Sequence, residues 1–319
     1  MSLIEKAAER LEELRRAGVD TPGGVGDDME TGRAIDQHQA PLLEAAVATS
    51  VASAAQADPV APAPSTSESA ARSRTVTLNL AKLASAGFVT PNAPRSLIAE
   101  EFRVLKRPLI DNASGIGAGP ITNGNLIMVT STLPGEGKTF TAINLAMSIA
   151  MELDRSVLLV DADVARPSLP RILGLPSTPG LLDVLQDGAK GLGDVLLRTN
   201  IEKFSILTSG MSHDRATELL ASAEMARILQ EMAQRYSDRI IIFDSPPLLI
   251  TTEARVLASH MGQVVFVVHA EATLQSEVMQ ALTTIAACPI KLMVLNQTMT
   301  SGAGAAGAYG YRYGYGYAS

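Results

Sequence analysis

The chain has 319 residues, of which 46% are hydrophobic, enough to bury one large core or two smaller ones. Its net charge of −7 and pI near 5.2 provide no basic surface that could follow a phosphate backbone, which excludes nucleic acid as the main partner. Cys288 is the only cysteine, so no intrachain disulfide forms and a reducing compartment is expected. The N-terminus lacks the pattern of a secretory signal, and no apolar run approaches the roughly 18 residues that cross a bilayer, which predicts a cytoplasmic protein.

Residues 1–18 are predicted to form a short amphipathic helix. Leu3, Leu11 and Leu14 fall on one apolar stripe, and Gly18 stands where a helix would end. A helix this short is marginal in water on its own, so it is expected to dock on a surface. That surface belongs either to this chain or to another protein, and the latter is favoured.

Residues 19–75 change in composition to Ala, Pro, Ser, Thr and Gly, with almost no aromatic side chains. Such a segment cannot bury enough apolar surface to offset its conformational entropy. We expect a disordered linker here, with a domain beginning at Val76.

A helix is predicted over residues 96–107, because Pro94-Arg-Ser96 can start a helix and Pro108 restricts its end. Its apolar residues recur on one face: Ile98, Phe102, Leu105 and Leu109. Glu100 and Arg103 lie on the opposite face, either as a solvated charged surface or as a contact between subunits.

The stretch Ser131–Thr139 reads S-T-L-P-G-E-G-K-T, after an apolar run at 126–129 and before an apolar helical pattern. Strand, glycine-bearing loop and helix in this order form a phosphate-binding loop. Thr132 stands where the strict pattern has a glycine.

Each residue type in this loop has a physical task. Gly135 and Gly137 allow the backbone to turn so that several N–H groups converge on one anion, at the positive end of the helix dipole. Lys138 would reach the β- and γ-phosphates, and the Thr139 hydroxyl would face Mg²⁺. The loop therefore predicts a bound nucleoside triphosphate.

After the loop, short apolar runs alternate with helical patterns. The predicted strands are 157–161, 204–208, 239–244, 263–269 and 290–295, and the predicted helices are near 139–153, 180–187, 215–235 and 274–286. Because the strands are apolar throughout, we predict an α/β fold of the P-loop NTPase type, a mostly parallel sheet with helices on both faces.

Carboxylates follow two of these strands. Asp161 and Asp163 end the strand at 157–161, and Asp244 ends the strand at 239–244, before a stiff Ser-Pro-Pro turn. An Asp after a strand is most often a turn or a helix cap. Three of them beside a phosphate loop predict ligands for Mg²⁺ and an acceptor for a hydroxyl proton.

The last residues alternate tyrosine with glycine or arginine. Five of the six tyrosines lie between 309 and 317. A flexible segment of about 20 residues spans about 25 Å on average, so it can reach an active site in its own or a neighbouring subunit. A sticky low-complexity tail is the alternative, but beside a nucleotide site we favour phosphate acceptors.

Together, the loop sequence, the carboxylates at the two strand ends and the tyrosine cluster resemble the bacterial tyrosine kinases, over roughly residues 95–319. Glu218-Leu-Leu-x-Ser222 also resembles a stretch of that family. Its members are autokinases built on a P-loop ATPase fold, and they govern exopolysaccharide synthesis and export. The N-terminal helix and the Ala/Pro linker look like the cytoplasmic, exosortase-associated branch.

The resemblance implies a role for each matching residue. It assigns ATP phosphate binding to Gly135, Glu136, Gly137, Lys138, Thr139 and Phe140, with Lys138 also catalytic. The implied Mg²⁺ ligands are Thr139, Asp163 and Asp244. Asp161 would take the tyrosine proton, and Asn296 would contact adenine. The implied acceptors, phosphorylated in a neighbouring subunit, are Tyr309, Tyr311, Tyr313, Tyr315 and Tyr317.

The resemblance also implies an assembly. Glu100, Arg103 and Lys106 match the family's ring-forming motif E-x-x-R-x-x-R, with lysine in the place of its last arginine. Arg166 follows Asp163 one residue later than in the family pattern, and no role is assigned to it. A membrane-bound activator of the polysaccharide co-polymerase type is the implied partner, which would hold the protein at the inner membrane.

A partition- or division-site ATPase switch is the competing interpretation, since it uses the same fold. Such proteins carry a lysine early in the phosphate loop, whereas this loop begins Ser131-Thr-Leu-Pro. A binding module without catalysis is a third interpretation.

Overall fold

The computed structural model describes residues 74–116, 119–186, 191–236 and 238–298. The predicted N-terminal helix, the tyrosine tail at 299–319 and all but the last two residues of the predicted linker lie outside the described residues. Those last two residues belong to the first strand, which starts at Arg74.

Eight strands form one sheet. They are β1 (Arg74–Val76), β2 (Leu126–Ser131), β3 (Ser156–Asp161), β4 (Leu197–Thr199), β5 (Phe204–Leu207), β6 (Arg239–Asp244), β7 (Gln263–His269) and β8 (Ile290–Asn296). The five strands predicted after the phosphate loop are all present, with ends within one residue of the prediction. The short strands β1 and β4 were not predicted.

The described helices fall between these strands. They are α1 (Leu80–Ser85), α2 (Leu97–Ala113), α3 (Lys138–Ala150), α4 (Leu169–Leu173), α5 (Leu181–Gln186), α6 (Leu192–Val195), α7 (Ala216–Leu220), α8 (Ala223–Arg235), α9 (Glu253–Ser259) and α10 (Gln275–Thr284). Of these, no helix is both long and apolar enough to cross a membrane.

The strand order across the sheet is β1-β4-β5-β3-β6-β2-β7-β8. Every neighbouring pair is parallel except β4 and β5. Because β3, β6 and β2 are adjacent, the end of the phosphate-loop strand and the ends of both carboxylate-bearing strands lie side by side. Ligands in such sheets bind beyond the carboxyl ends of the strands.

Two apolar cores lie on opposite faces of the sheet. Alternate residues of each central strand point to opposite faces, so Met128 of β2 packs with α8 and α9, whereas Val129 packs with α2 and α3. The prediction of a mostly parallel sheet with helices on both faces is confirmed.

The helix at 96–107 was predicted to end at Pro108, and that end is wrong. Helix α2 continues through Pro108 to Ala113, and Ser96 caps its start by accepting a hydrogen bond from Ala99 N–H. Proline removes the bond to the carbonyl of Val104. Both residues lie on the exposed side, where water can reach that carbonyl, while Leu109 beyond the proline is fully buried and holds the helix on the core.

The single helix predicted over 215–235 is two helices, α7 and α8. Ser222 between them has extended backbone angles (φ −78°, ψ 160°), and its hydroxyl accepts from Met225 N–H at 3.2 Å. A serine cap therefore divides the helix where the apolar periodicity gave no break.

Candidate active site

The phosphate loop joins the end of β2 to the start of α3. Gly135 and Gly137 have φ of 88° and 94°, and Gly137 is the N-cap of α3. A Cβ atom on Gly137 would lie 2.0 Å from the amide nitrogen of Asn296, so this position needs glycine for space as well as for its backbone angle. The loop therefore directs free N–H groups at the start of α3 towards one point beyond β2.

Glu136 braces this loop from inside. Its side chain is 3% exposed; one carboxylate oxygen accepts from Leu133 N–H at 2.7 Å, and the other accepts from the Thr273 hydroxyl. Because the carboxylate is committed to these two donors, only the backbone of Glu136 is left to contact a phosphate.

Two amides from the end of β8 hold the same loop. Asn296 donates to the carbonyl of Glu136 at 2.9 Å, and Gln297 donates to the carbonyl of Gly135 at 3.1 Å. Asn296, predicted to contact adenine, thus lies against the phosphate loop in this structure.

Phe140 was predicted among the phosphate-binding residues. Its ring packs against that of Phe88, with the ring centroids 5.1 Å apart. The side chain therefore packs between α3 and the segment that joins α1 to α2.

Lys138 and Thr139 begin α3 and point towards the carboxylates. The Lys138 ammonium lies 3.0 Å from a carboxylate oxygen of Asp163, and both side chains are largely buried. The Thr139 hydroxyl lies 3.1 Å from that of Ser168. The structure thus brings together the predicted phosphate-binding lysine and one predicted metal ligand.

Asp161 and Asp244 are register partners on the adjacent strands β3 and β6, and both are fully buried. Asp161 accepts from Leu169 N–H at 3.2 Å with one oxygen, and its other oxygen has no partner among the described residues. Asp244 has no described hydrogen-bond partner for either oxygen. Asp163, which is 5% exposed, accepts from Arg166 N–H at 3.2 Å.

Burial has the largest effect on the pKa values of Asp161 and Asp244. It raises the pKa of Asp161 to about 8, with Asp244 adding to the rise, while the bond from Leu169 N–H lowers it. Burial also raises the pKa of Asp244 to about 7, because the nearby Lys138 ammonium and Thr139 hydroxyl offset only part of the cost. Unpartnered buried carboxylates are costly, and perturbed groups of this kind cluster at functional sites.

These residues fit Mg²⁺ bound together with a nucleotide. In the described part of the chain, no group of three or more His, Cys, Asp or Glu could hold a metal by itself. Mg²⁺ usually takes one or two carboxylates and completes its shell with phosphates and water. The orphaned oxygens of Asp244, with Thr139 and Asp163 beside them, provide that kind of partial shell.

The other predicted residues lie apart from this cluster. Glu100 and Arg103 form an ion pair, and their side chains are 47% and 43% exposed. Lys106 is a correction to the predicted surface contact: it is 3% exposed, and its ammonium bonds to the Ser148 carbonyl at 2.5 Å and to Glu152 at 2.7 Å within its own subunit. The five tail tyrosines lie outside the described residues.

Three residues that contact the site were not predicted from the sequence: Ser168, Thr273 and Gln297. Ser168 follows the carboxylate strand, in a segment that lacks helical or strand periodicity. The other two reach the loop from more than 130 residues away. No local pattern marks such contacts, because they arise only when the sheet assembles.

Comparisons with known proteins agree with this geometry. A family model described as an AAA domain matches residues 124–298. The chain is 32% identical over 200 residues to the tyrosine-protein kinase YwqD of Bacillus subtilis (strain 168), covering 63% of this chain and 80% of that protein. It is 33% identical over 138 residues to the tyrosine-protein kinase ptk of Acinetobacter johnsonii, covering 43% of this chain but only 18% of that protein.

A solved structure is similar as well. The kinase domain of the Escherichia coli tyrosine kinase ETK superposes with a TM-score of 0.56 at 25% identity, covering 72% of this chain and 84% of that domain.

Proposed function

This chain belongs to the bacterial tyrosine kinases and is a protein-tyrosine kinase, and from that premise we propose that it phosphorylates the tyrosine cluster of its own C-terminal tail. ATP is the phosphate donor, Mg²⁺ is the cofactor, and the tail enters from a neighbouring subunit of a ring. The observation that carries the proposal is the meeting of Lys138, Asp163 and two buried carboxylates at the mouth of one phosphate loop.

In the reaction, the tyrosine Oη forms a bond to the γ-phosphorus, and the bond from that phosphorus to the β–γ bridging oxygen breaks. ADP leaves with the electron pair of that bond, and the phenol proton passes to Asp161. The loop N–H groups and Lys138 bind the phosphates and stabilise the charge that develops on them. When bound, Mg²⁺ neutralises negative charge on the phosphate oxygens, and Thr139, Asp163 and Asp244 would hold it.

Access to the base requires a local rearrangement. Asp161 has no exposed surface, and the segment carrying Ser168 and Leu169 covers it. Because Asp161 is fully buried, a phenol can reach its free oxygen only after the residues that cover it move. With its pKa raised to about 8, Asp161 has to ionise before it can accept the phenol proton, and once ionised it is a stronger base than a carboxylate on the surface.

The cellular role we propose is control of exopolysaccharide synthesis and export. A membrane activator of the co-polymerase type would hold the kinase at the inner membrane. Each phosphate added to the tail brings nearly two negative charges to a chain whose net charge is already −7. Repulsion would then draw the tail out of the site and loosen the ring.

The test uses two full-length variants. Lys138→Met removes the phosphate-binding ammonium but keeps the tail, and the tail-Phe variant replaces the tyrosines at 309, 311, 313, 315 and 317 by phenylalanine. Each is incubated with Mg-ATP alone, and the two are incubated together, and phosphate is mapped by mass spectrometry.

We expect neither variant to acquire tail phosphate alone, and the mixture to place it on the tail of Lys138→Met. Lys82→Met, at an exposed lysine of α1, is the matched control and should behave as wild type. ATP hydrolysis by the wild type without phosphotyrosine would contradict the proposal, and would favour the ATPase switch.

A further inference from the structure

A cleft opens beside the candidate active site, beyond the carboxyl ends of β3 and β5. Its volume is about 380 Å³, within the range of specific ligand sites. Pro167, Pro170 and Pro176 line one side, and Thr208 and Ser209 line the other. We call it the proline cleft.

A short segment of the chain connects the proline cleft to the candidate active site. Pro167 and Pro170 flank Ser168 and Leu169 in the sequence. Ser168 contacts the Thr139 hydroxyl, and Leu169 N–H bonds to Asp161. A molecule seated in the cleft therefore lies next to the segment that covers the proposed base.

Hydrogen bonds to the start of α5 hold the loop that carries Thr208, Ser209 and Gly210 of the cleft lining. Asp183 accepts from the N–H groups of Gly180 at 2.7 Å and Met211 at 3.1 Å, and Leu181 N–H donates to the Thr208 carbonyl at 2.9 Å. A Cβ atom on Gly210 would lie 2.2 Å from an Asp183 oxygen. Binding there costs little ordering entropy, which favours affinity.

The lining suits an aromatic ring that carries one polar end. Proline rings and the half-buried Leu175 offer flat apolar surfaces, while the hydroxyls of Thr208 and Ser209 on the other side offer hydrogen-bond partners. Tyrosine combines an apolar body with a polar tip in the same way. The tyrosine-rich segment of this protein is the tail, where five tyrosines recur at every second position from 309 to 317.

We propose that the proline cleft binds one tail tyrosine as an anchor and thereby presents the tyrosine two residues away to the γ-phosphate. In an extended peptide, residues two positions apart point the same way and lie about 6.6–6.8 Å apart. A tyrosine ring anchored beside Pro170 would thus direct the tyrosine two residues away towards Asp161, the proposed base. This inference deepens the proposed tail phosphorylation and rests on it.

The tail is long enough to reach the cleft. In the strand order, β8 and β5 are five positions apart, which is about 24 Å at the usual strand spacing. The chain from residue 298 to Tyr309 can extend to roughly 36 Å. Length therefore allows a tail to reach the cleft of its own subunit, and we assign the anchor to the neighbour's tail because the proposed ring does so.

The experiment compares two synthetic peptides covering residues 307–319. One keeps only the tyrosine at 313, the other keeps those at 313 and 315, and alanine replaces the rest. The enzymes are the full-length tail-Phe variant and the same protein carrying Ser177→Trp, which fills the cleft from its exposed rim. Ser259→Trp, an exposed site near the opposite edge of the sheet, is the matched control.

For the starting enzyme and for Ser259→Trp, we expect the KM of the two-tyrosine peptide to be about tenfold lower than that of the single-tyrosine peptide. Ser177→Trp should remove this difference, and the KM for ATP should stay unchanged. A benzophenone side chain in place of one peptide tyrosine should cross-link to residues 167–178 or 208–210.

The outcomes separate the two proposals. Equal KM values for both peptides on the starting enzyme, or an unchanged difference in Ser177→Trp, overturn the anchor while tail phosphorylation stands. A shift in the KM for ATP that accompanies the peptide effect also overturns it, because the cleft would then not be a separate acceptor site. If wild-type protein phosphorylates neither its tail nor the peptides, both proposals fail.

Discussion

The buried carboxylate of Asp244 is a single residue whose ionisation opposes folding. Neither of its oxygens has a hydrogen-bond partner among the described residues, and burial raises its pKa to about 7. Because this pKa lies above the unfolded value of 3.8, ionisation disfavours the folded state increasingly as the pH rises between these values. A bound cation would reverse the penalty.

We expect Asp244→Asn to raise the melting temperature of the protein in EDTA by about 2–4 °C at pH 8, and by less at pH 5. The same change should abolish the stabilisation that Mg-ATP gives to wild type. Differential scanning calorimetry measures both effects, and Asp111→Asn, at an exposed site on α2, is the matched control. A lower melting temperature at pH 8 would show that Asp244 has a stabilising partner.

Asp161 is expected to act on the chemical step. Asp161→Asn keeps the shape of the side chain but removes its capacity to take a proton. Removing a general base typically lowers the rate by about 10²–10⁴-fold, so we expect kcat to fall in that range while ATP affinity remains. Single-turnover phosphorylation and ATP titration separate these two quantities, with the exposed Asp154→Asn as control. Near-normal turnover would assign the proton to another acceptor.

At the scale of elements, local patterns located most of the structure. Apolar runs gave the strands from β3 to β8 other than the short β4, and Gly135 and Gly137 marked the phosphate loop. One failed prediction was decided by packing: α2 passes Pro108 because Leu109 is buried beyond it. The long-range contacts of Glu136 were also not predicted, since Thr273, which donates to its carboxylate, follows β7, and Asn296, which donates to its carbonyl, ends β8.

The contact between Glu136 and Thr273 should keep the phosphate loop in its binding geometry. We expect Thr273→Val, which removes the hydroxyl, and Glu136→Ala each to weaken ATP binding by about tenfold. The double variant should be no weaker than the worse single one, because interacting pairs couple by about 0.5–3 kcal/mol. Isothermal titration calorimetry measures the affinities, and Thr283→Val, exposed on α10, serves as control. Additive losses would mean that the two side chains act independently.

At the scale of the whole molecule, the site depends on strand order. Asp161 and Asp244 are 83 positions apart in the sequence, yet they are register partners because β3 and β6 are neighbours. The rule that parallel strands carry ligands at their carboxyl ends predicted a shared edge. The sequence alone did not show which strands are neighbours. It also did not show that the segment before α4 covers Asp161. Both follow only from the assembled sheet.

The three residues that match the ring-forming motif differ in their surroundings: two are exposed and one is buried. Glu100 and Arg103 form an exposed pair, and such pairs contribute at most about 1 kcal/mol to folding. Lys106 instead bonds to the Ser148 carbonyl inside the subunit, while Glu152 keeps Arg107 as a second partner at 3.1 Å.

We therefore expect Glu100→Ala and Arg103→Ala to lower the mass of the proposed assembly, measured by analytical ultracentrifugation, without changing the melting temperature. Lys106→Met should instead lower the free energy of unfolding by about 1–3 kcal/mol, because it leaves a buried carbonyl without its donor. An unchanged mass in the first two variants would remove this face of α2 from the subunit contact. If Lys106→Met is as stable as wild type but no longer assembles, Lys106 belongs to the contact between subunits. Its ammonium would then contribute more between subunits than within one.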